Sequence, residues 1–249
     1  MFRAYRTRAV TILAIFGTCA LLSWHVLADR SLDRILERGF IRIGYAVEAP
    51  YAFLSPTGAV TGESPELAKY VVRQLGIPDI RWVQTEFGSL VSSLALNRFD
   101  VIAAGMFITP ERAERVRFST PTFRVTEGLL VAKGNPLGLH SYDKIRELTT
   151  GMVAVLGGAV EESLLWDAGV PSSRLLIVPD ALTGRVAVES GEAVALALTE
   201  PTIRWMARQD QLGKTEIAEA FKQPRAVASG QVGLGGFAFR QQDTQLIEA

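Results

Sequence analysis

Strands and helices alternate along this chain, and the alternation starts twice. The first run extends over residues 40–117 and the second over residues 151–208. In each run short apolar segments are followed by amphipathic helices, which is the order that builds sheets covered by helices. A second run that begins afresh indicates a second sheet rather than an extension of the first. The sequence therefore predicts an α/β fold with two lobes, each lobe a sheet flanked by helices.

The first run is predicted to contain three strands and three helices. Ser64 and Pro65 are suited to the N-cap and first position of one helix, and Gly76 is suited to its end. The segment Asp100–Ala104 is predicted to be a strand covered on both faces, because its apolar residues are continuous. The other predicted elements are the strands Phe40–Gly44 and Ile80–Val83 and the helices Gly88–Leu96 and Thr109–Arg117.

The second run repeats this order, and two segments join the runs. Its predicted elements are the strands Gly151–Leu156, Leu175–Val178 and Ala193–Leu198 and the helices Ala159–Trp166, Asp180–Ser190 and Glu200–Arg208. Thr126–Ala132 is predicted to be a connecting strand and Ala226–Val232 a return strand. Two such crossings form a hinge, and a ligand then binds between the lobes. We expect residues 29–130 and 226–249 in lobe 1 and residues 131–225 in lobe 2.

The first 28 residues are predicted to be a secretory signal peptide. Three arginines within the first eight residues precede the apolar run Val10–Leu22, and Val26–Ala28 provides residues suited to a cleavage site. The apolar run is about 13 residues long, short of the roughly 20 that span a bilayer. Cleavage there predicts a periplasmic protein. The alternatives are an uncleaved anchor and a lipid attached at Cys19.

Charge excludes several classes of partner. Lys and Arg number 26, and Asp and Glu also number 26, so the whole chain has no net charge. Residues 1–28 contain three arginines and no acid, and zero minus three leaves −3 for the remainder. That balance gives no electrostatic basis for binding nucleic acid or a membrane surface. We expect neither as a partner.

The scarcity of cysteine and histidine restricts the chemistry further. Cys19 is the only cysteine, and His140 is the only histidine beyond residue 28. A disulfide, a Cys–His catalytic pair or a cysteine-based metal site is therefore not expected. Gly157-Gly158 lacks the Lys-Ser/Thr of a phosphate-binding loop and is interpreted as a strand-to-helix turn whose N–H groups can hold an anion. We expect no metal, no cofactor and no catalytic residues.

Three loops that follow predicted strands carry aromatic residues. Tyr51, Phe87 and Phe107 lie one in each loop. In open α/β sheets ligands bind beyond the carboxyl ends of strands, where these loops lie. Three aromatic faces could surround a cation, each contributing on the order of 0.5–2 kcal/mol when water is excluded. The alternative for each ring is a place in the core.

Two charged residues near these loops suit a ligand with both charges. Arg112 lies in the first turn of a predicted helix, where the helix dipole disfavours a cation unless an anion compensates. Its planar guanidinium suits bidentate binding of a carboxylate. Glu48 supplies the opposite charge close to Tyr51. The alternatives are an ion pair of Arg112 with Glu111 and a solvated position for Glu48.

Residues 31–240 resemble the type 3 extracellular solute-binding proteins of ABC uptake systems. The matching segments are Leu36–Gly44, Asn97–Asp100 and Ile108–Glu114. The resemblance implies a two-lobed periplasmic-binding-protein-like fold with two hinge crossings. It implies a monomer that is not an enzyme, captures a small zwitterion by closure of the cleft and delivers it to the membrane subunits of an ABC permease. Members of the family continue beyond the position of Gln242, so we also expect that C-terminal helices of lobe 1 are missing.

Within this family, the chain resembles the members that bind ectoine and hydroxyectoine. The segments that carry this resemblance are Glu48–Tyr51, Thr85–Leu90 and Ala103–Arg112. It implies that Glu48 and an aromatic box of Tyr51, Phe87 and Phe107 hold a cyclic amidinium. It implies that Thr109 and Arg112 hold the ligand carboxylate. Ala159 and its neighbours are expected to close over the ligand from lobe 2.

A departure from ordinary amino-acid binders supports that assignment. Where those proteins place an aspartate against the ligand ammonium, this chain has Thr199. A desolvated ammonium without a carboxylate is costly, whereas a delocalised amidinium stacked on rings demands less. A polar amino acid or a betaine remains the alternative ligand, the former especially if Glu200 turns inward. A cyclohexadienyl dehydratase-like enzyme is a further alternative, with Glu161 or Glu162 as general acid.

Overall fold

A computed structural model describes residues 29–210, 212–230 and 233–249 of the chain. The predicted signal peptide, residues 1–28, lies outside the described residues. Across the described part, no helix has the length and apolar character needed to cross a membrane.

Strands and helices alternate along the described residues. The strands are β1 Phe40–Tyr45, β2 Phe53–Leu54, β3 Val60–Thr61, β4 Asp79–Gln84, β5 Val101–Ile102, β6 Val116–Phe118, β7 Phe123–Arg124, β8 Glu127–Ala132, β9 Met152–Leu156, β10 Leu175–Val178, β11 Ala193–Thr199, β12 Thr215–Ile217, β13 Leu234–Gly235 and β14 Ala238–Arg240. The helices are α1 Ser31–Arg38, α2 Glu63–Gln74, α3 Leu90–Ala95, α4 Pro110–Ala113, α5 Tyr142–Glu147, α6 Val160–Asp167, α7 Ala181–Ser190, α8 Glu200–Arg208, α9 Arg225–Ala228 and α10 Thr244–Glu248. Two short 3₁₀ turns cover Phe87–Ser89 and Ser172–Arg174.

Ten of the strands form two five-stranded sheets and the other four form two pairs, β2 with β3 and β7 with β13, which confirms the predicted α/β fold with two lobes. The sheet of lobe 1 has the order β4-β1-β5-β14-β6, and that of lobe 2 has the order β10-β9-β11-β8-β12. In lobe 1, β1 is parallel to β4 and β5, while β14 is antiparallel to its neighbours. In lobe 2, β9 is parallel to β10 and β11, while β8 is antiparallel to its neighbours. The last strand of the chain to join a sheet thus returns to lobe 1.

Asp100 fixes the N-terminal end of the lobe 1 sheet. Its carboxylate is 3% exposed and lies 2.9 Å from the Arg42 guanidinium and 3.5 Å from that of Arg240. Arg38 donates a further hydrogen bond to the same carboxylate. These arginines come from α1, β1 and β14, so one buried carboxylate ties three elements together. The surrounding cations and hydrogen bonds hold the pKa of Asp100 below its usual value despite the opposing effect of burial.

The crossings between the lobes differ in detail from the prediction. β8 pairs along its length with β11 and β12, so the expected boundary at residue 130 falls inside a strand of lobe 2. The strand predicted at Ala226–Val232 is wrong where the structure describes it, because residues 225–228 form α9. The return is made instead by β13, which pairs antiparallel with β7. Two short strands, one on each crossing, therefore run side by side at the hinge.

Three predicted helix and strand bounds also need correction. Ser64 lies inside α2 and is not its N-cap, because Gly62 takes that position and the Ser64 hydroxyl accepts a hydrogen bond from the Gly105 N–H at 3.2 Å. The helix predicted to reach Arg117 ends at Ala113, because β6 begins at Val116 and pairs with β14. The strand predicted over residues 100–104 is shortened to β5, although the N–H groups of Asp100 and Ala103 on either side of it still donate to carbonyl oxygens of β1.

Candidate functional site

The carboxyl ends of the central strands of both sheets face one interlobe cleft. Loops after β1, β4 and β5 approach it from lobe 1, and the segments after β9 and β11 approach it from lobe 2. A cavity of about 670 Å³ in this cleft is lined from both sides, by Glu48 and Phe87 of lobe 1 and by Thr202 of lobe 2 among others. Both lobes therefore line this cavity, and of the predicted site residues Glu48 and Phe87 are among its lining.

The two lobes touch at paired glycines. The Cα atom of Gly88 lies 3.0 Å from the place where a Cβ atom on Gly158 would stand. A Cβ atom on Gly88 would stand 2.8 Å from the carbonyl oxygen of Gly157. Only glycines allow backbones to approach this closely. The lobes are therefore in a closed arrangement.

A directed chain of hydrogen bonds crosses the cleft twice. The Tyr51 hydroxyl donates to Thr199 Oγ1 at 3.0 Å, and the Thr199 hydroxyl donates to Thr202 Oγ1 at 3.1 Å. Thr202 then donates to Glu48 Oε1 at 2.8 Å. Tyr51 and Glu48 belong to lobe 1, whereas both threonines belong to lobe 2. The structure thus brings Glu48, Tyr51 and Thr199 together in one buried network.

Glu48 is buried where its charge is costly. Its carboxylate accepts a hydrogen bond from the Thr202 hydroxyl, and the residue is 7% exposed. Burial is the main reason that its pKa rises to about 8, and the negative charge of Glu161 adds to the shift. The hydrogen bond from Thr202 opposes the shift. Glu48 is therefore not the solvated loop acid that the sequence allowed, and a cation in the cleft would favour its ionised form.

The aromatic residues of the cleft include a ring beyond the predicted box. The Phe123 ring lies 5.2 Å from that of Tyr51 and 6.1 Å from that of Phe107, measured between ring centroids. Phe123, in β7 at the hinge, was not predicted. The Phe87 ring lies beside Arg112, with its centroid 5.5 Å from the guanidinium carbon. Tyr51, Phe87 and Phe107 are all buried, so each ring also contributes to the core.

Arg112 projects from the short helix α4 toward lobe 2. Its Nη1 donates to the Phe107 carbonyl oxygen and its Nη2 to the Gly158 carbonyl oxygen, each at 2.9 Å. Within the described residues no carboxylate lies within 4 Å of this guanidinium, so the ion pair with Glu111 is not formed. Thr109 is the N-cap of α4 and accepts a hydrogen bond from the Arg112 N–H. Burial lowers the pKa of Arg112, and a bound carboxylate would oppose that effect.

The turn at the start of α6 closes over the cleft from lobe 2. Ala159 is the N-cap of α6 and is 8% exposed. The Gly158 N–H, which the sequence suggested could hold an anion, donates instead to Glu162 Oε2 at 3.1 Å. The hydrogen bond of the Gly158 N–H is therefore made to a side chain of α6. Its contribution to the closed cleft is the Gly158 carbonyl oxygen that Arg112 contacts.

The sequence did not indicate two buried groups beside this network. Glu127, the first residue of β8, is fully buried, and neither of its carboxylate oxygens has a hydrogen-bond partner among the described residues. Tyr142 of α5 has a buried hydroxyl that also lacks a partner there. Glu161, proposed from the sequence only as a general acid, is 3% exposed and adjoins Glu127. The one signal for Glu127 was an acidic residue at the start of an otherwise apolar strand.

The match to known proteins extends over most of the chain. Residues 41–249 match the bacterial extracellular solute-binding proteins, family 3. The chain belongs to this family. It is the periplasmic solute-binding component of an ABC uptake system, and the family resemblance found in the sequence is confirmed.

Three relatives of this solute-binding protein differ in what their names state. The probable amino-acid ABC transporter periplasmic-binding protein y4tE of Sinorhizobium fredii is 36% identical over 227 residues, which are 90% of this chain and 74% of that protein. The crystal structure of EhuB in complex with hydroxyectoine superposes with a TM-score of 0.82 at 31% identity, covering 89% of this chain and 84% of that chain. Cyclohexadienyl dehydratase of Pseudomonas aeruginosa is 24% identical over 187 residues, which are 75% of this chain and 67% of that protein.

Proposed function

We propose that this solute-binding protein captures ectoine or hydroxyectoine and delivers it to the ABC permease. The observation that carries the proposal is that the buried Glu48 and the half-buried Arg112 bring opposite charges to the cleft and lack an ion-pair partner among the described residues. A zwitterion with a carboxylate and a delocalised cation supplies both missing charges at once.

The groups around each charge match the two poles of such a ligand. Glu48 accepts from Thr202 through one oxygen and keeps acceptor capacity for an amidinium N–H. The rings of Tyr51, Phe107 and Phe123 offer the π-faces that favour a delocalised cation. The Arg112 guanidinium has five N–H donors, of which two contact carbonyl oxygens, so donors remain for a carboxylate. The similarity to EhuB, which was solved with hydroxyectoine, supports the same ligand class.

Thr199 itself contributes a hydroxyl and no carboxylate to the cleft. Its hydroxyl already accepts from Tyr51 and donates to Thr202, so it serves the closed network. It adds no negative charge against an α-ammonium. Glu200, the residue that could have taken that role, forms a salt bridge with Arg204 on the outer face of α8.

A cationic amino acid is the second candidate ligand. Three carboxyl groups, those of Glu48, Glu127 and Glu161, are buried near one another, whereas Arg112 is the one cation that interacts with this cluster among the described residues. An excess of carboxyl groups suits a ligand with two cationic groups. The amino-acid ABC transporter name of y4tE agrees with this candidate.

Calorimetric titration of the purified protein tests both candidates. Ectoine, hydroxyectoine, arginine, glutamine and glycine betaine are titrated separately, with one-to-one binding of ectoine or hydroxyectoine expected. Arg112→Ala removes a buried charged partner and should weaken binding by about 2 kcal/mol or more, about thirtyfold. Arg98→Ala, at an exposed position outside the cleft, is the matched control and should leave the affinity unchanged.

The titration also separates the remaining alternatives. Tight binding of arginine without binding of ectoine would transfer the proposal to the cationic amino acid. An absence of heat with the whole panel, from protein shown to be folded by circular dichroism, would refute capture of either ligand class. Glu161 is a buried acid in the cleft, so the same preparation is incubated with prephenate and arogenate, and turnover of either would support the enzymatic alternative.

A further inference from the structure

Glu127 is placed at the cleft by the register of the lobe 2 sheet. It lies directly opposite Thr199 in the antiparallel pair of β8 and β11. Side chains that are directly opposite in such a pair project from the same face of the sheet. Thr199 contacts Tyr51 of lobe 1 across the cleft, so Glu127 belongs to the same end of the sheet. Its backbone is held on both sides by the Gln223 side chain, at 2.9 Å in each bond.

The Tyr142 hydroxyl beside Glu127 donates no hydrogen bond to either oxygen of its carboxylate. Glu161, in the first turn of α6, is 3% exposed and its carboxyl group adjoins that of Glu127. The buried Tyr142 hydroxyl is close enough for both carboxyl groups to raise its pKa, although burial is the larger cause. Two buried carboxylates without a cation between them repel each other, so one of them keeps a proton.

The charged groups that face this pair come from both lobes. Glu48 approaches from the loop after β1 and raises the pKa of Glu127 further. Arg112 approaches from α4, where its positive charge lowers the pKa of Glu161, and burial of Glu161 outweighs that effect. Tyr142 approaches from α5 and is uncharged. Burial is the first cause of the raised pKa of both Glu127 and Glu161.

We propose that Glu127, Glu161 and Tyr142 form an inner subsite of the cleft that takes a nitrogen cation of the ligand in exchange for a proton shared by the two carboxyl groups. The cation is a guanidinium, an ammonium, or an amidinium that donates one N–H to Glu48 and another to this subsite, because each offers N–H donors to carboxylate oxygens that lack a hydrogen-bond partner among the described residues. On binding, the shared proton leaves to the solvent and the ligand N–H groups replace it. The unpartnered oxygens of Glu127 and the unpartnered Tyr142 hydroxyl are the atoms that this exchange satisfies. This inference rests on the proposed function for the identity of the ligand.

The exchange makes affinity depend on pH with a definite sign. The ligand cation favours the ionised pair, so binding releases a proton and affinity rises with pH. For one proton released, the association constant increases by up to about tenfold per pH unit. The test measures the affinity of ectoine, hydroxyectoine and arginine between pH 5.5 and 8.5, and the binding enthalpy in buffers of different ionisation enthalpy. Glu127→Gln should reduce both the pH slope and the number of protons released, while Glu192→Gln, an exposed position in lobe 2, should retain the native values.

A second measurement tests the shared proton, though not the binding of a cation, without any ligand. Because the pKa of Glu127 is raised above its unfolded value near 4.5, its contribution lowers the free energy of unfolding as pH rises above that value. The free energy of unfolding, measured in urea between pH 4.5 and 8.5, should therefore fall less steeply with pH in Glu127→Gln and in Glu161→Gln than in the native chain. Equal slopes in native chain and variants, or a bound ligand whose affinity keeps the native pH slope in Glu127→Gln, would overturn the inference. If no ligand of the panel binds but the unfolding slopes differ, the proposed ligand class fails and the shared proton stands.

Discussion

Replacement of Gly88 by alanine tests whether closure of the lobes is required for ligand capture. The added Cβ atom would stand 2.8 Å from the carbonyl oxygen of Gly157 and 3.3 Å from its carbonyl carbon. Both neighbours are backbone atoms, so rotation of a side chain does not relieve the contact. Gly88 belongs to lobe 1 and Gly157 to lobe 2, and the contact therefore exists only when the lobes are closed.

The magnitude follows from this overlap. Forcing one extra methyl group into a packed contact typically costs about 1–3 kcal/mol. Since the cost falls on the closed state alone, the ligand affinity should decrease by about 5- to 150-fold. The free energy of unfolding should remain unchanged or increase by about 0.4–1 kcal/mol, because alanine restricts the unfolded chain at a position with an ordinary backbone conformation. Lower affinity with undiminished stability is the signature of a defect in closure.

Three measurements on Gly88→Ala evaluate this reasoning. Calorimetry gives the affinity, urea unfolding gives the stability, and small-angle X-ray scattering gives the compaction that follows ligand addition. Ser89→Ala, at the adjacent position, is the control, since it adds no atom toward Gly157. If Gly88→Ala retains an affinity within about twofold of the native value and compacts to the same extent, closure through this glycine contact is refuted.

Two further predictions concern the fold and the cleft. Asp100→Asn removes the carboxylate from the half-buried Arg38 and Arg42 and from the buried Arg240, which keeps its ion pair with Asp243, and should lower the free energy of unfolding by about 1.5–3 kcal/mol at pH 7. Because the native pKa of Asp100 is lowered, the native chain should lose this advantage as pH falls below about 3.8, so the difference in unfolding free energy between native chain and variant, measured in urea, should be smaller at pH 3 than at pH 7. Thr202→Val removes the hydrogen-bond donor to Glu48 and should weaken ligand binding by about 1–3 kcal/mol in calorimetry. Thr202→Ser keeps the hydroxyl and should retain most of the native affinity. Equal affinities of Thr202→Val and the native chain would contradict a role for this hydrogen bond.

The fold could be predicted from the sequence where local pattern and tertiary structure agree. The strand Leu175–Val178 and the helix Glu200–Arg208 have the predicted bounds, because apolar periodicity, Pro201 in the first turn and the following polar segment all indicate the same element. The predicted return strand beginning at Ala226 failed because a β-branched and apolar composition does not distinguish a short helix from a strand. There the hydrogen bonds from Val227 and Ala228 to the Pro224 carbonyl oxygen decide for a helical turn.

The site could be predicted only where its residues share a loop or a motif. Glu48, Tyr51 and Arg112 stood out by type and spacing, and the structure places all three at the cleft. Phe123 and Glu127 did not, because their relevance depends on neighbours that are distant in sequence. Glu127 gains its environment from strand register with Thr199, which no local pattern reveals. Local sequence reports the chemistry of a side chain, while its solvation and partners are properties of the assembled lobes.

The chain of hydroxyls from Tyr51 to Glu48 has a consequence for the rate of ligand release. Its first and last links join opposite lobes, whereas the middle link lies within lobe 2. Parting the lobes ruptures both outer links in the same movement, and the Glu48 carboxyl group must then find water as its new donor. These interlobe hydrogen bonds affect the dissociation rate more than the association rate, because they form only after the ligand has bound and the lobes have closed. Ligand release is therefore expected to be slower with these two interlobe hydrogen bonds than without them.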